Sequence, residues 1–568
     1  MISPEVPMST LLFLLAACTA PDDAAADCPT SLTDAQGACL GAMPDWDRGA
    51  TFDAPRRDVY DLGDDLDAVR DRGLIYVSSW PVDVSGMLLP ARPMREVFAD
   101  DATNPDILGI QNLGRIALGF GTLDEMYTWL GLTTFNADGE GPFYTPPPPG
   151  QGPGDRMGVS FLDTPDGEAM TFSCATCHAA RLFGRSVMGL HNRRARANAF
   201  FHLGRDFFPN IPPELFQGLT DADEGEMALF NRVAHNLRAV GSRPPQALGL
   251  DTSLAQVALS LSKREPDAWA TRSDGFELAP RPNDLDAYVA DSKPATWWTL
   301  KYKDRWLEDG SIVSGNPIFT NFLWNEIGRG TDLHELDRWL HQNLDVVSEL
   351  TAAVFATEPV RWTDYFPAST LDLDAARRGE ATFEARCAEC HGRYAKDWDS
   401  DDPTLTRSVD YPSPTPVIDV GTDPQRALGM NAFADMLNDL EISAWMGTVV
   451  EPQTGYVPPP LDGIWARWPY LHNASIPTLC ALLSPPEERP AVFWAGPSDD
   501  PDTDFDADCV GFPSEVPAAW MEEPSAQFDT SREGMSNAGH DAMLRDGDGG
   551  WLLDEAARAD LIMFLKTL

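Results

Sequence analysis

Two pentapeptides constrain this chain more than anything else in it: Cys174-Ala175-Thr176-Cys177-His178 and Cys387-Ala388-Glu389-Cys390-His391. Two thiols three residues apart can both add to the vinyl groups of one haem, and the adjacent His then points its imidazole at the iron. A thioredoxin-like redox pair or half of a zinc site would account for one Cys-x-x-Cys. Neither accounts for two copies each followed by His, and no further Cys-x-x-Cys completes a zinc tetrad. The spacing predicts two covalently bound c-type haems. Haem one is expected on Cys174, Cys177 and His178, and haem two on Cys387, Cys390 and His391.

At 568 residues the chain is too long for one ordinary core, so two or three domains are expected. A hydrophobic fraction of 43% permits a large buried core. The formal net charge of −46 repels nucleic acid and anionic lipid headgroups, so neither is expected as a partner surface. It suits a soluble, exported protein, or one whose partners are basic or neutral.

Residues Leu11 to Ala17 form a short apolar run ending in small residues, the pattern of an export signal and too short to span a bilayer. No Lys or Arg precedes the run, and Met8 is an alternative start. Leu15-Ala16-Ala17-Cys18 resembles the lipobox of bacterial lipoproteins. The resemblance implies acylation of Cys18 and membrane attachment through a lipid anchor. Thr19 stands where Asp would signal inner-membrane retention, which favours the outer membrane. The expected location is therefore the periplasm or cell envelope. With Cys18 and the four pentapeptide thiols assigned, Cys28, Cys39, Cys480 and Cys509 remain. In an oxidising compartment, proximity pairs Cys28 with Cys39 and Cys480 with Cys509; free buried thiols are the alternative.

The expected fold is mainly α, with two c-type cytochrome domains, each around one covalent haem and decorated by long loop-rich insertions. Residues 1–18 read as signal and lipobox, 19–80 as tether and N-terminal extension, 81–365 as the haem-one domain, and 366–568 as the haem-two domain with a large insertion. The proline-rich run Tyr144 to Gly154 reads as an extended surface loop. Leu333, Leu336, Leu340, Leu344 and Val347 recur at helical spacing and predict one amphipathic helix, with His334 and His341 on its edge. A helix is expected from Leu371 into the second pentapeptide. Another is expected at the C-terminus, with Leu553, Ala557, Leu561, Phe564 and Leu565 on one face.

The surroundings of the second pentapeptide are similar to a cytochrome c fold, with Gly379 and Phe383 at the positions where its first and last helices cross. The run from Tyr456 to Pro497 resembles the dihaem cytochrome c peroxidase superfamily, in particular its branch containing the rubber oxygenases. The residues that carry this are Pro460-Leu461-Asp462-Gly463-Ile464-Trp465, Pro469-Tyr470-Leu471-His472-Asn473, Arg489-Pro490, Val510-Gly511-Phe512 and the Gly-His motif within Ser536 to Asp541. The likeness is weaker around the first pentapeptide, and little is recognisable upstream of about residue 150.

The resemblance implies an oxidoreductase with peroxide or dioxygen chemistry at haem one and electron storage at haem two. A non-catalytic electron carrier with both haems six-coordinate is the alternative. The partners implied are a small-molecule oxidant or oxygen and an electron-donor protein. The resemblance also places a distal ligand at His540, with Met535 as the competing choice and His472 as a pocket or propionate contact. For haem one, His191 and His202 follow in sequence without a motif position. Trp297 and Trp298 occupy a place where the superfamily passes electrons between haems, though ordinary core aromatics would look the same. Phe319 and Phe322 are candidate aromatics over haem one, in a local pattern that departs from the rubber oxygenases. Arg193, Arg194 and Arg196 read as propionate partners or a solvated face. The acidic run Ser498 to Asp508 has the composition to bind calcium, but it fits no defined calcium loop and reads as a solvated loop.

Overall fold

Helices Leu373–Arg386 and Glu555–Leu565 cross at Gly379, where an added Cβ would lie 2.0 Å from the Asp560 carbonyl oxygen and 2.9 Å from Phe564 Cβ. Only hydrogen fits there. One turn on, the Phe383 and Phe564 rings pack with centroids 5.2 Å apart. This is the crossing expected from the sequence. Each helix starts on an aspartate cap: Asp372 accepts from the amides of Asp374 and Ala375, and Asp554 accepts from Ala557. Such caps satisfy amides that have no partner within the helix.

The computed structural model describes residues 56–568 apart from Glu140 and Pro403. The expectations for Cys18, Cys28 and Cys39 lie outside the described residues. The fold is mixed, 43% helix and 11% strand, rather than mainly α. The strands are short antiparallel pieces. Val159–Thr164, Gly167–Phe172 and Leu89–Pro90 form a three-stranded sheet with Gly167–Phe172 in the middle. The others pair in twos. One pair, Ala179–Leu182 with Arg185–Met188, follows the first pentapeptide directly; another, Arg393–Lys396 with Thr406–Asp410, follows the second. Each Cys-x-x-Cys-His turn thus runs into an antiparallel pair.

The predicted helix through Leu333 to Val347 is two helices, Leu333–Gln342 and Leu344–Phe355. Asn343 leaves helical geometry at φ −130° and its side-chain amide caps the Trp339 carbonyl at 2.8 Å. An Asn competes for backbone in this way, which is why the apolar period continued while the helix did not. The second helix is buried from Val346 through Phe355. Helix Leu66–Ser79 packs on it, with Gly73 pressed against the Glu349 carbonyl. The end of the expected tether region is therefore structured.

The largest apolar cluster joins residues from both sides of residue 365. It holds Leu182, Leu190 and Trp298 together with Phe383, Trp465, Trp468 and Phe564. Cys480 and Cys509 form a disulfide within this half, S–S 2.08 Å.

Candidate haem sites

Each pentapeptide folds as one helical turn, Ala175–His178 and Ala388–His391, in which the His amide donates to the first Cys carbonyl at 3.0 Å. The turn brings two thiols and one imidazole to a common cavity, about 200 Å³ around the first and about 240 Å³ around the second. Burial pushes Cys174 up to about 11 and Cys387 up to about 12. That is the opposite of the lowered thiols of a dithiol redox site.

The imidazoles are oriented from behind by backbone. His178 Nδ1 donates to the Ala295 carbonyl at 3.0 Å, and His391 Nδ1 donates to the Pro459 carbonyl at 2.8 Å. A carbonyl only accepts, so each ring keeps its proton on Nδ1 and leaves the Nε2 lone pair free for a metal. Burial lowers both histidines to about 4, which holds the rings neutral. Pro459 belongs to the Pro-Pro-Pro run and Ala295 to the Lys-Pro-Ala-Thr run. Sequence reasoning missed both partners, because a backbone carbonyl has no residue signature.

Across the second cavity stands His540, its ring centroid 6.1 Å from that of His391. Two imidazole–metal bonds of about 2 Å each, with the ring radii added, span about 6 Å. His540 Nδ1 has no partner among the described residues, and burial holds this ring neutral as well, lowered to about 3. Apolar side chains including Phe383, Ile418, Leu461, Leu479 and Leu561 line the rest. The thiol pair, the opposed neutral imidazoles and the apolar walls fit a covalently held haem.

The loop that presents His540 is pinned from several sides. Gly539 and His540 both take left-handed backbone, φ +76° and +55°, and the His540 amide donates to the Val420 carbonyl at 2.8 Å. A Cβ on Gly539 would lie 2.3 Å from the Gly421 carbonyl carbon. Arg489 Nη1 holds the Gly539 carbonyl at 2.9 Å, and Asn473 Nδ2 holds those of Gly534 and Ser536 at 3.1 and 3.0 Å. The Arg-Pro and Pro-Tyr-x-His-Asn motifs therefore serve one loop.

The first cavity differs. It is lined by Trp80, Phe201, Trp324, Asn198, Gln256 and Arg329 among others, and among the described residues that line it none is a second His or a Met. Arg329 is buried, lies 4.1 Å over the Trp80 ring and bonds Thr171 and the Phe172 carbonyl. The buried Trp324 indole N–H has no partner among the described residues. Lys293, Ala295 and Glu308 line both cavities and form their common wall.

The family described as RoxA-like, cytochrome c-like matches residues 455–494, the stretch that carries Pro459, Asn473 and Arg489. The chain is related to the RoxA-like cytochromes c. A second match, described as cytochrome C oxidase, cbb3-type, subunit III, covers residues 374–445 and so includes the second pentapeptide. Two curated proteins of Sinorhizobium fredii (strain NBRC 101917 / NGR234) are similar. The uncharacterized protein y4iJ is 31% identical over 37% of this chain and 41% of its own length. The uncharacterized protein y4iM is 30% identical over 35% of this chain and 49% of its own. The match thus spans about half the length of each relative or less. Cytochrome c domains carry covalently bound haem iron and transfer electrons through it.

The other expected residues fall as follows. Met535 is buried in the large apolar cluster and does not line the haem cavity. His472 lines it, but its ring stacks on Tyr456 with centroids 3.7 Å apart. His191 is buried against the Trp468 carbonyl and His202 contacts Ser242; neither lines the first cavity. Trp297 packs on the His178 ring at 4.8 Å, whereas Trp298 donates to the Asp462 carbonyl in the other core. Phe319 and Phe322 are core residues, packed on Trp445 and Trp80, and do not line the first cavity. Trp80 and Trp324 line it instead. Arg193 and Arg196 are buried rather than solvated: Arg193 lies 3.7 Å over Trp468 and clamps its carbonyl, and Arg196 pairs with Glu523. His334 and His341 stack on Trp269 and Trp445. In the acidic run, Asp504 accepts from the amides of Asp499 and Asp500, and Asp506 from that of Cys509. These carboxylates cap their own loop.

Proposed function

We propose that the chain is an exported dihaem oxidoreductase, with haem two on Cys387, Cys390 and His391 as an electron store and haem one on Cys174, Cys177 and His178 as the reactive centre. The observation that carries this reading is the asymmetry of the cavities. His391 has His540 opposite it at 6.1 Å, while among the described residues His178 has no second His or Met in its cavity. Haem supplies one-electron chemistry and, where one face is free, a place for dioxygen or peroxide. The chain's part is to hold each imidazole neutral and aimed from a backbone carbonyl, to close one site with His540, and to line the other with Asn198, Gln256, Trp324 and Arg329. Trp297 packs on the His178 ring, and Ala295, whose carbonyl holds that ring, lines both cavities; we assign these two to the path between the haems.

Export, acylation of Cys18 and outer-membrane attachment belong to the same proposal. The apolar run before Cys18 and the oxidised Cys480–Cys509 pair support them. The net charge of −46 favours a basic electron-donor protein.

The test is an absorption and EPR spectrum of the oxidised protein and of its half-reduced form, with and without cyanide or peroxide. One high-spin haem that takes up the ligand beside one low-spin haem that does not is expected. Two low-spin haems indifferent to both in every oxidation state would leave an electron carrier.

A further inference from the structure

We propose that Lys293, Lys303 and Arg467 together bind the two carboxylate groups of the haem held by Cys387 and Cys390. The proposal rests on the reading of that pentapeptide as a haem site and goes beyond it, because neither motif nor family match assigns these residues.

All three cations line the second cavity; Lys303 and Arg467 are buried, at 6% exposure or less, and Lys293 is half-buried. Arg386 and Glu389 are exposed beside the thiols and offset each other. What remains is three cations against one carboxylate, Glu308. That local excess of two positive charges sits inside a chain of net charge −46. Isolated buried charges are costly unless paired. Yet Lys293 Nζ donates only to carbonyls, those of Arg467 at 3.3 Å and Pro469 at 3.0 Å. Arg467 Nη1 reaches the Pro460 carbonyl at 2.7 Å while its Nε has no partner. Lys303 makes no side-chain hydrogen bond among the described residues. Burial pulls Lys293 down to about 7 and Lys303 to about 8, as expected of ammonium groups lacking an anion. Two carboxylates restore the balance, and haem carries two. Charge-assisted bonds from Lys and Arg suit them.

The position of Lys293 adds a consequence. It lines both cavities, whereas Lys303 and Arg467 line only the second. Lys293 therefore acts on both haems, the other two on one.

Redox titration of the purified full-length holoprotein, with each haem followed by its own spectrum, tests this. Lys303→Met and Arg467→Met should lower the midpoint of the low-spin haem and leave the other unmoved; Lys293→Met should lower both. Arg467→Lys should restore most of the shift, which separates charge from packing. Inorganic phosphate should not move the wild-type midpoints. Unmoved midpoints in all three Met variants, with haem staining complete, overturn the assignment alone. A wild-type midpoint that tracks phosphate overturns it in favour of a diffusible anion. Wild-type protein without haem at Cys387 and Cys390 overturns the haem reading as well.

Discussion

His391 and His540 face each other across one cavity, ring centroids 6.1 Å apart, and each is fixed by backbone: His391 Nδ1 on the Pro459 carbonyl, the His540 amide on the Val420 carbonyl. Removing one ring should leave the other oriented. His540→Ala is expected to convert the low-spin haem to high-spin while haem staining persists. Cyanide binding at the other haem should stay within about twofold of wild type, since its cavity contains no part of this loop. A low-spin spectrum unchanged by the substitution would move the ligand elsewhere.

Gly539→Ala tests the loop rather than the ligand. The new methyl would meet the Gly421 backbone at 2.3 Å on a residue at φ +76°. A side chain in strained backbone costs about 1–3 kcal/mol. The expected result is a loss of that order in urea unfolding together with a partial loss of the low-spin signal. Stability lost with ligation intact would show that the loop can shift without moving His540.

Haem count follows from the thiols. Replacing both thiols of one pentapeptide, Cys174→Ala with Cys177→Ala or Cys387→Ala with Cys390→Ala, should remove about half of the covalently bound haem, and the quadruple variant all of it, on a denaturing gel stained for haem. Staining that survives in the quadruple variant would exclude thioether attachment at these pentapeptides.

The Cys480–Cys509 bond closes a loop with a sequence separation of 29. Loop-closure entropy gives about 3–4 kcal/mol for such a loop. Cys480→Ala with Cys509→Ala should lower unfolding stability by about that amount, without altering the haem spectra, because neither cysteine lines a haem cavity.

His472 makes stability depend on pH. Burial lowers it to about 3, from an unfolded value near 6.5, while it stacks on Tyr456. Between those values the unfolded chain binds the proton and the folded chain does not, so its contribution is full above about 6.5 and is lost as pH falls toward 3. The slope in that window is at most about 1.4 kcal/mol per pH unit. His472→Phe keeps an aromatic stack and should flatten it, which equilibrium unfolding between pH 3 and 7 would measure.

Residues adjacent in the chain carried most of what was legible without the structure. The two Cys-x-x-Cys-His turns and the helices that begin at Leu373 and Glu555 rest on short spacings, and a spacing survives folding; the Gly379 crossing followed from the resemblance to a cytochrome c fold. Asn343 shows the limit even locally: the apolar period ran through it, but its side chain ended the helix. The rest depended on distant segments meeting. Met535 and His540 are five positions apart and both are ligand types, so only packing separates them: one is buried in the apolar cluster, and the other is turned into the cavity by Gly539 against Gly421. Ala295 and Pro459 act through carbonyls, which every residue has. Lys293, Lys303 and Arg467 look like any surface cations until the fold gathers them around one cavity, Lys303 and Arg467 buried and Lys293 half-buried, with Glu308 as the one carboxylate against the three, and it is burial that turns a charge into a demand for a partner.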